Sequence, residues 1–159
     1  MFVSWHTFAA AAPDLAAVAQ EQLAPGHVAL VGTIRSDGSP RISSVEPHLM
    51  EGELYLGMMW QSRKALDLLR DPRVLLRNTV CTSTGDEAEI TLRGRAVDIH
   101  DLDLRQRYMA AVAERITWQE PHFHLFVVQI ESAALVRYGH GQQAVKLWPH
   151  GGEFTRPYG

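Results

Sequence analysis

The stretch that decides the fold runs from Ser39-Pro-Arg-Ile-Ser-Ser-Val45 through Glu53-Leu-Tyr-Leu-Gly57 and Trp60-Gln-Ser-Arg-Lys64 to Asp71-Pro72-Arg73-Val-Leu-Leu-Arg77. Its first two pieces read as strands and are joined by a turn at Glu51-Gly52. Ser62-Arg63-Lys64 opens a short helix over 62–70, which the Asp71-Pro72 pair stops. A further strand follows over 73–80. This order gathers Arg41, Ser43, Arg63 and Lys64 around the first turn of one helix. A helix N-terminus already offers unpaired N–H groups and a positive dipole end. Two cations there oppose the dipole, at a cost of a few tenths of a kcal/mol each. A bound dianion reverses that sign, so the arrangement points to a phosphorylated cofactor.

Working outward, Asp37-Gly38 is a hairpin signal between a strand over 27–35 and the one from Ser39. Pro13 to Ala24 reads as a helix with Leu15, Val18, Ala19 and Leu23 on its apolar stripe and Pro25-Gly26 as its stop. A strand over 88–99 carries Gly94 as a bulge position. A longer helix over 101–115 takes Asp101 as N-cap and Leu104, Tyr108, Ala111 and Val112 as its buried face. Closing strands are expected over 123–130, 133–138 and 143–148, with an extended, turn-rich tail. About seven strands with tight turns and three helices predict a small antiparallel barrel or sandwich with helical decorations.

Composition limits the function. The 159 residues carry a net charge of −3, so phosphate affinity has to come from local placement of charge, not from a global pull toward nucleic acid or anionic lipid. The length suggests one domain, 1–159. A single cysteine, Cys81, excludes an internal disulfide and a cysteine-built metal site. Met1 to His6 lacks the pattern of a secretory signal and no apolar run is long enough to span a bilayer, so a cytoplasmic protein is expected.

Several residues are candidates for chemistry. On the Ser39 strand, Arg41, Ser43 and Val45 share one face, and Ile42, Ser44 and Glu46 the other. The paired serines leave room for a flat ligand, or mark an edge strand with a solvated face. Ser62 is the helix N-cap, while Ala65, Leu66 and Leu69 form the buried stripe. Trp60 and Trp148 are each either a wall for a planar ring or core residues. His122 and His124 are spaced to face one ligand, but no third ligand is near in sequence and no metal site is assigned. No nucleophile elbow or P-loop is present. Such a chain leaves the hard chemistry to a cofactor.

Residues 26–98, and more loosely the rest, resemble the pyridoxamine 5'-phosphate oxidase-like flavin-binding split barrels, which include flavin and deazaflavin oxidoreductases. The resemblance rests on Gly32-Thr-Ile-Arg-Ser-Asp-Gly-Ser-Pro-Arg41, on Ser62-Arg63-Lys64 with Leu69-x-Asp71-Pro72-Arg73, and on Thr91-Leu-Arg-Gly-Arg95. It implies a mainly β fold: a six- to seven-stranded antiparallel split barrel with three short helices, paired as a homodimer. A cofactor, FMN or the deazaflavin coenzyme F-420, is then expected at the subunit interface. Arg41, Ser62, Arg63 and Lys64 look like its phosphate contacts. Ile42, Ser43 and Ser44 look like the strand along its ring, with Trp60 and Trp148 bordering the site. The implied activity is hydride transfer to or from a small organic substrate. A non-catalytic flavin or haem carrier on the same barrel is the alternative, with His122, His124 or His140 as haem ligands. Glu46 stands where the oxidase proper has a lysine, and the tail lacks the oxidase's Arg/His substrate motif. Pyridoxamine phosphate is therefore not the expected substrate.

Overall fold

The computed structural model describes residues 1–23, 26–115 and 120–157. In chain order the elements are α1 (Trp5–Ala11), α2 (Pro13–Gln22), β1 (Ala29–Ile34), β2 (Pro40–Val45), β3 (Pro47–Met50), β4 (Glu53–Met59) and α3 (Arg63–Arg70). There follow β5 (Arg73–Asn78), β6 (Glu89–Asp98), α4 (Leu102–Val112), β7 (Phe123–Gly139), β8 (Gln142–Trp148) and β9 (Gly152–Pro157). All nine strands belong to one sheet, ordered β2-β1-β5-β6-β7-β4-β3, with β8 joining β7 and β9 joining β8. Every strand pair in it is antiparallel.

Three expectations are corrected here. The helices number four among the described residues, because α1 precedes the first one expected. Its signal is local: the Ser4 side chain accepts from the Thr7 N–H as an N-cap, and Trp5 and Phe8 fall one turn apart on the buried face. The strands among the described residues number nine, not six or seven. Finally, 123–130 and 133–138 are one continuous strand. The polar Glu131-Ser132 pair is not a break, since Arg93 pairs with Ser132 and Gly94 with Ile130, leaving Glu131 as the extra residue of a bulge. Gly94 is required opposite it: a Cβ there would lie 2.9 Å from the Gln129 carbonyl carbon. The Pro25 stop of α2 lies outside the described residues.

The reading of 39–50 also changes. The chain turns at Glu46, so β2 pairs with β1 at one end of the sheet while β3 pairs with β4 at the other. Only Glu46 separates Val45 from Pro47, so the two ends of the hydrogen-bonded path must lie side by side at this corner. The sheet is curled but unclosed: β2 and β3 end its main path, and β9 is the outer edge of the branch through β8. The Glu51-Gly52 turn between β3 and β4 is as expected, with both residues at positive φ.

Inside the curl, Phe8, Leu15, Leu54, Leu56, Leu76, Leu92, Phe126 and Ile130 form the main core with α1 and α2. On the other side of β4 and β7, α4 lays Tyr108 and Val112 over Tyr55, Phe123 and Leu125. β4 and the start of β7 are thus buried on both faces, which is why their sequences run nearly continuously apolar. Ala111, expected on that face, is exposed.

Candidate functional site

The corner at Glu46 is concave. A cleft of about 240 Å³ opens there, lined by Ser44, Glu46, Gly57, Met59, Lys64 and Tyr108 among others. Its back wall exists because β4 carries no side chain at Gly57, where a Cβ would fall 2.9 Å from Tyr108 Cζ and closer still to its hydroxyl oxygen. Burial pushes the Tyr108 phenol up to about 12, opposed by the Gly57 backbone N–H, so it lines the cleft as a neutral hydroxyl.

Lys64, in the first turn of α3, donates from Nζ to the Ser44 carbonyl oxygen at 2.5 Å. Burial lowers its pKa from the ordinary lysine value, with the Glu46 carboxylate opposing the shift. Glu46 therefore lines the same cleft as Lys64 and does not face away from it. Ser62 is the α3 N-cap residue by position, yet its side chain caps nothing, and its buried Oγ has no hydrogen-bond partner. The first intrahelical donor is Leu66, whose N–H reaches the Ser62 carbonyl. The preceding N–H groups at this helix start are left without a side-chain cap. Arg63 is exposed.

Arg41 points to the same helix from β2, but into an ion pair. Its Nε donates to Asp67 Oδ2 at 2.7 Å, and the same oxygen accepts from Thr33 Oγ1 at 2.8 Å. Asp67 Oδ1 accepts from Arg70 at 3.1 Å. Burial pushes the Asp67 carboxyl up, but the bonds from Arg41, Thr33 and Arg70 outweigh it and hold the pKa below the ordinary carboxylate value. The sequence reading missed this hub because it drew the α3 stripe through Ala65, Leu66 and Leu69. The buried residues are Ala65, Asp67 and Leu68, and Leu69 is 46% exposed. Ser43 shares the half-buried face of β2 with Arg41, whereas Ile42 and Ser44 are exposed.

Trp60 lies beside this helix start. It stacks on His124 at 4.5 Å and 8°, and His122 meets it at 6.0 Å. His124 is buried, which lowers its pKa below the usual imidazole range. Its Nε2 accepts the Gln61 N–H at 3.2 Å, pinning the residue that enters α3 with φ of 56°. This neutral histidine is thus a support for the turn, a role sequence spacing did not suggest. His140 sits at positive φ in the β7–β8 turn. Trp148 packs on the main core and meets Phe8 edge to face at 5.1 Å. The chain thus brings Ser44, Glu46 and Lys64 together at the corner, with Ser62 at the start of the same helix, ties Arg41 one turn along α3, and sets Trp148 against α1.

No protein-family model matches the sequence, and a search of curated proteins finds no match either. Solved structures do match. A heme-binding protein from Mycobacterium smegmatis aligns at 21% identity and a TM-score of 0.60, over 81% of this chain. The chain spans 57% of that protein's length. HutZ, the heme storage protein from Vibrio cholerae, aligns at 19% identity and 0.60, covering 76% of this chain and 90% of its own. A proposed pyridoxamine 5'-phosphate oxidase from Listeria innocua aligns at 17% and 0.58, covering 72% and 92%. Likeness at this level of identity speaks to architecture, and the β-rich fold of this chain is that of the pyridoxamine 5'-phosphate oxidase-like proteins.

Proposed function

We propose that this chain binds the phosphate of a flavin-type cofactor (FMN or coenzyme F-420) at the start of α3. The proposed protein is a cytoplasmic oxidoreductase working as a homodimer. The observation that carries the proposal is the uncapped N-terminus of α3, with Lys64 in its first turn and the Ser62 hydroxyl buried without a partner. A phosphate would accept from those N–H groups, relieve the orphaned hydroxyl and give a partly desolvated ammonium, which donates to the Ser44 carbonyl, an anionic partner as well. Lys64, Arg63, Ser62 and Arg41 would hold it. Ile42, Ser43 and Ser44, on the adjoining edge strand, would lie along the ring. Trp60 would border the ring. Trp148, packed on Phe8, would approach a site only from the other subunit.

A homodimer interface would account for exposed apolar side chains near the cleft. Ile42 on the edge strand β2 is 73% exposed, and Met59 and Trp60, at and just past the end of β4, are 67% and 55% exposed. Apolar surface of this kind marks an interaction face. The bound ring would supply the hydride chemistry; the protein supplies anchoring, orientation and exclusion of water.

A second reading, a non-catalytic flavin or haem carrier, draws support from the haem descriptions of two structural neighbours. In this chain His124 Nε2 is engaged by Gln61, whereas His122 and His140 are exposed. Titration of the purified protein with FMN, F-420 and haemin, followed by absorbance, tests both readings. Saturable flavin or deazaflavin binding that is lost in the Lys64→Glu, Arg41→Ala double variant is expected. Haemin binding alone would favour the carrier, and unchanged flavin affinity in the double variant would remove the phosphate assignment.

A further inference from the structure

The hub at Asp67 has a feature that a simple staple does not need. Its three donors come from three elements: Thr33 on β1, Arg41 on β2 and Arg70 on α3 itself. The Asp67 side chain is only 5% exposed, so its charge is costly unless all three donors are in place. Arg41 contributes through Nε alone. Among the described residues its two terminal guanidinium nitrogens have no hydrogen-bond partner, although the side chain is only 23% exposed.

The geometry of α3 on β2 explains where those nitrogens lie. Lys64 reaches Ser44 and Asp67 reaches Arg41, so helix and strand run in opposite directions with three residues between contacts on each. Three residues span about 4.5 Å along a helix but roughly 10 Å along a strand. The long Lys64 and Arg41 side chains take up that difference between them, and for Arg41 this means a lean back along α3 toward its start. The bond from Nε fixes that lean and leaves the planar fork of terminal donors open, the geometry that suits an anion's oxygens.

We infer that Asp67 is a positioning residue for the anion site: it orients Arg41 by Nε so that the terminal nitrogens, with Lys64, meet a ligand phosphate. This rests on the proposed phosphate site at α3. It also says why an arginine is needed. A lysine at position 41 has a single donor nitrogen, and with that nitrogen held at Asp67 it lacks the separate terminal pair that would extend to the ligand.

The test compares FMN with riboflavin, which has the same ring and lacks the phosphate, by quenching of flavin fluorescence. The wild type should bind FMN more tightly than riboflavin; equal affinities would overturn the phosphate site itself. Asp67→Asn should weaken FMN binding by about tenfold, the worth of one charge-assisted hydrogen bond, and leave riboflavin within about twofold. Arg41→Ala should lose a similar factor, and the two changes together should lose no more than the larger single loss. Arg41→Lys, which leaves Asp67 intact and paired, should behave like Arg41→Ala. With the wild-type preference for FMN established, three results would overturn the positioning role: equal losses for both flavins in Asp67→Asn, multiplicative losses in the double variant, or full FMN affinity in Arg41→Lys.

Discussion

Gly57→Ala places a methyl group where the cleft's back wall meets Tyr108. The new Cβ would stand 2.9 Å from Tyr108 Cζ, 3.0 Å from Cε1 and nearer still to the hydroxyl oxygen. None of these is the far end of a flexible chain. The ring is 2% exposed and wedged between His48, Tyr55 and Phe123, with centroids 5.9, 6.2 and 6.0 Å away. Relief needs a ring shift of about half an ångström or more, and the three rings packed around Tyr108 oppose it. Overpacking of this kind costs roughly 1–3 kcal/mol, and the upper half of that range applies here. For a chain of this size that is a fall in Tm of about 5–10 °C. Removing the hydroxyl takes away the worst clash, so Tyr108→Phe should recover part of the loss in the Gly57→Ala background, although alone it costs about 1 kcal/mol. Thermal and urea melts of the four proteins close the cycle. A Tm for Gly57→Ala within about 2 °C of wild type, or no recovery in the double variant, would refute the close approach of Tyr108 to β4.

Further outcomes follow from the same geometry. Asp67 has a pKa depressed below the unfolded value of about 3.9, so its stabilising contribution is complete above that pH and is lost as pH falls through the folded value. The wild type should therefore lose stability below about pH 4 more steeply than Asp67→Asn, as measured by urea midpoints across that range; parallel curves would contradict the paired carboxylate. Glu46 lines the cleft with Lys64, and a unit charge at that range is worth about 1 kcal/mol, so Glu46→Gln should tighten FMN binding roughly fivefold in a fluorescence titration. Weaker binding in that variant would mean the carboxylate serves the ligand. Ile42→Glu with Met59→Glu puts charges on the exposed apolar face, and should convert the proposed dimer to folded monomers in sedimentation, with the far-ultraviolet circular dichroism unchanged; an unaltered dimer would place the interface elsewhere.

Much of this protein follows from local chemistry along the chain. Asp37-Gly38 makes its turn with the Asp37 side chain accepting from the Ser39 N–H, and Gly38 at positive φ. Asp101 caps α4 through the Leu104 N–H. The start of α3 at Ser62-Arg63-Lys64, and its end before Pro72, were equally legible. Each of these depends on residues within a few positions of one another, and the preference is expressed wherever the segment lies. The missed α1 belongs to the same class, since its Ser4 cap was there to be read.

Other features depend on partners distant in sequence. No local pattern says that Asp67, in a helix otherwise read as an apolar stripe, is buried beneath a strand residue 26 positions away. Nor does the sequence near His124 reveal that its acceptor nitrogen is used by a backbone N–H 63 residues earlier. The turn at Glu46, which sends β2 and β3 to opposite ends of the sheet, creates the cleft and puts a carboxylate beside Lys64. The sequence by itself determined the elements and the cationic helix start, because propensity, capping and turn chemistry act locally. Tertiary structure alone decided which charges are neutralised, which are left open and where the chain is concave, because pairing and burial are properties of strands and helices brought together across the curled sheet.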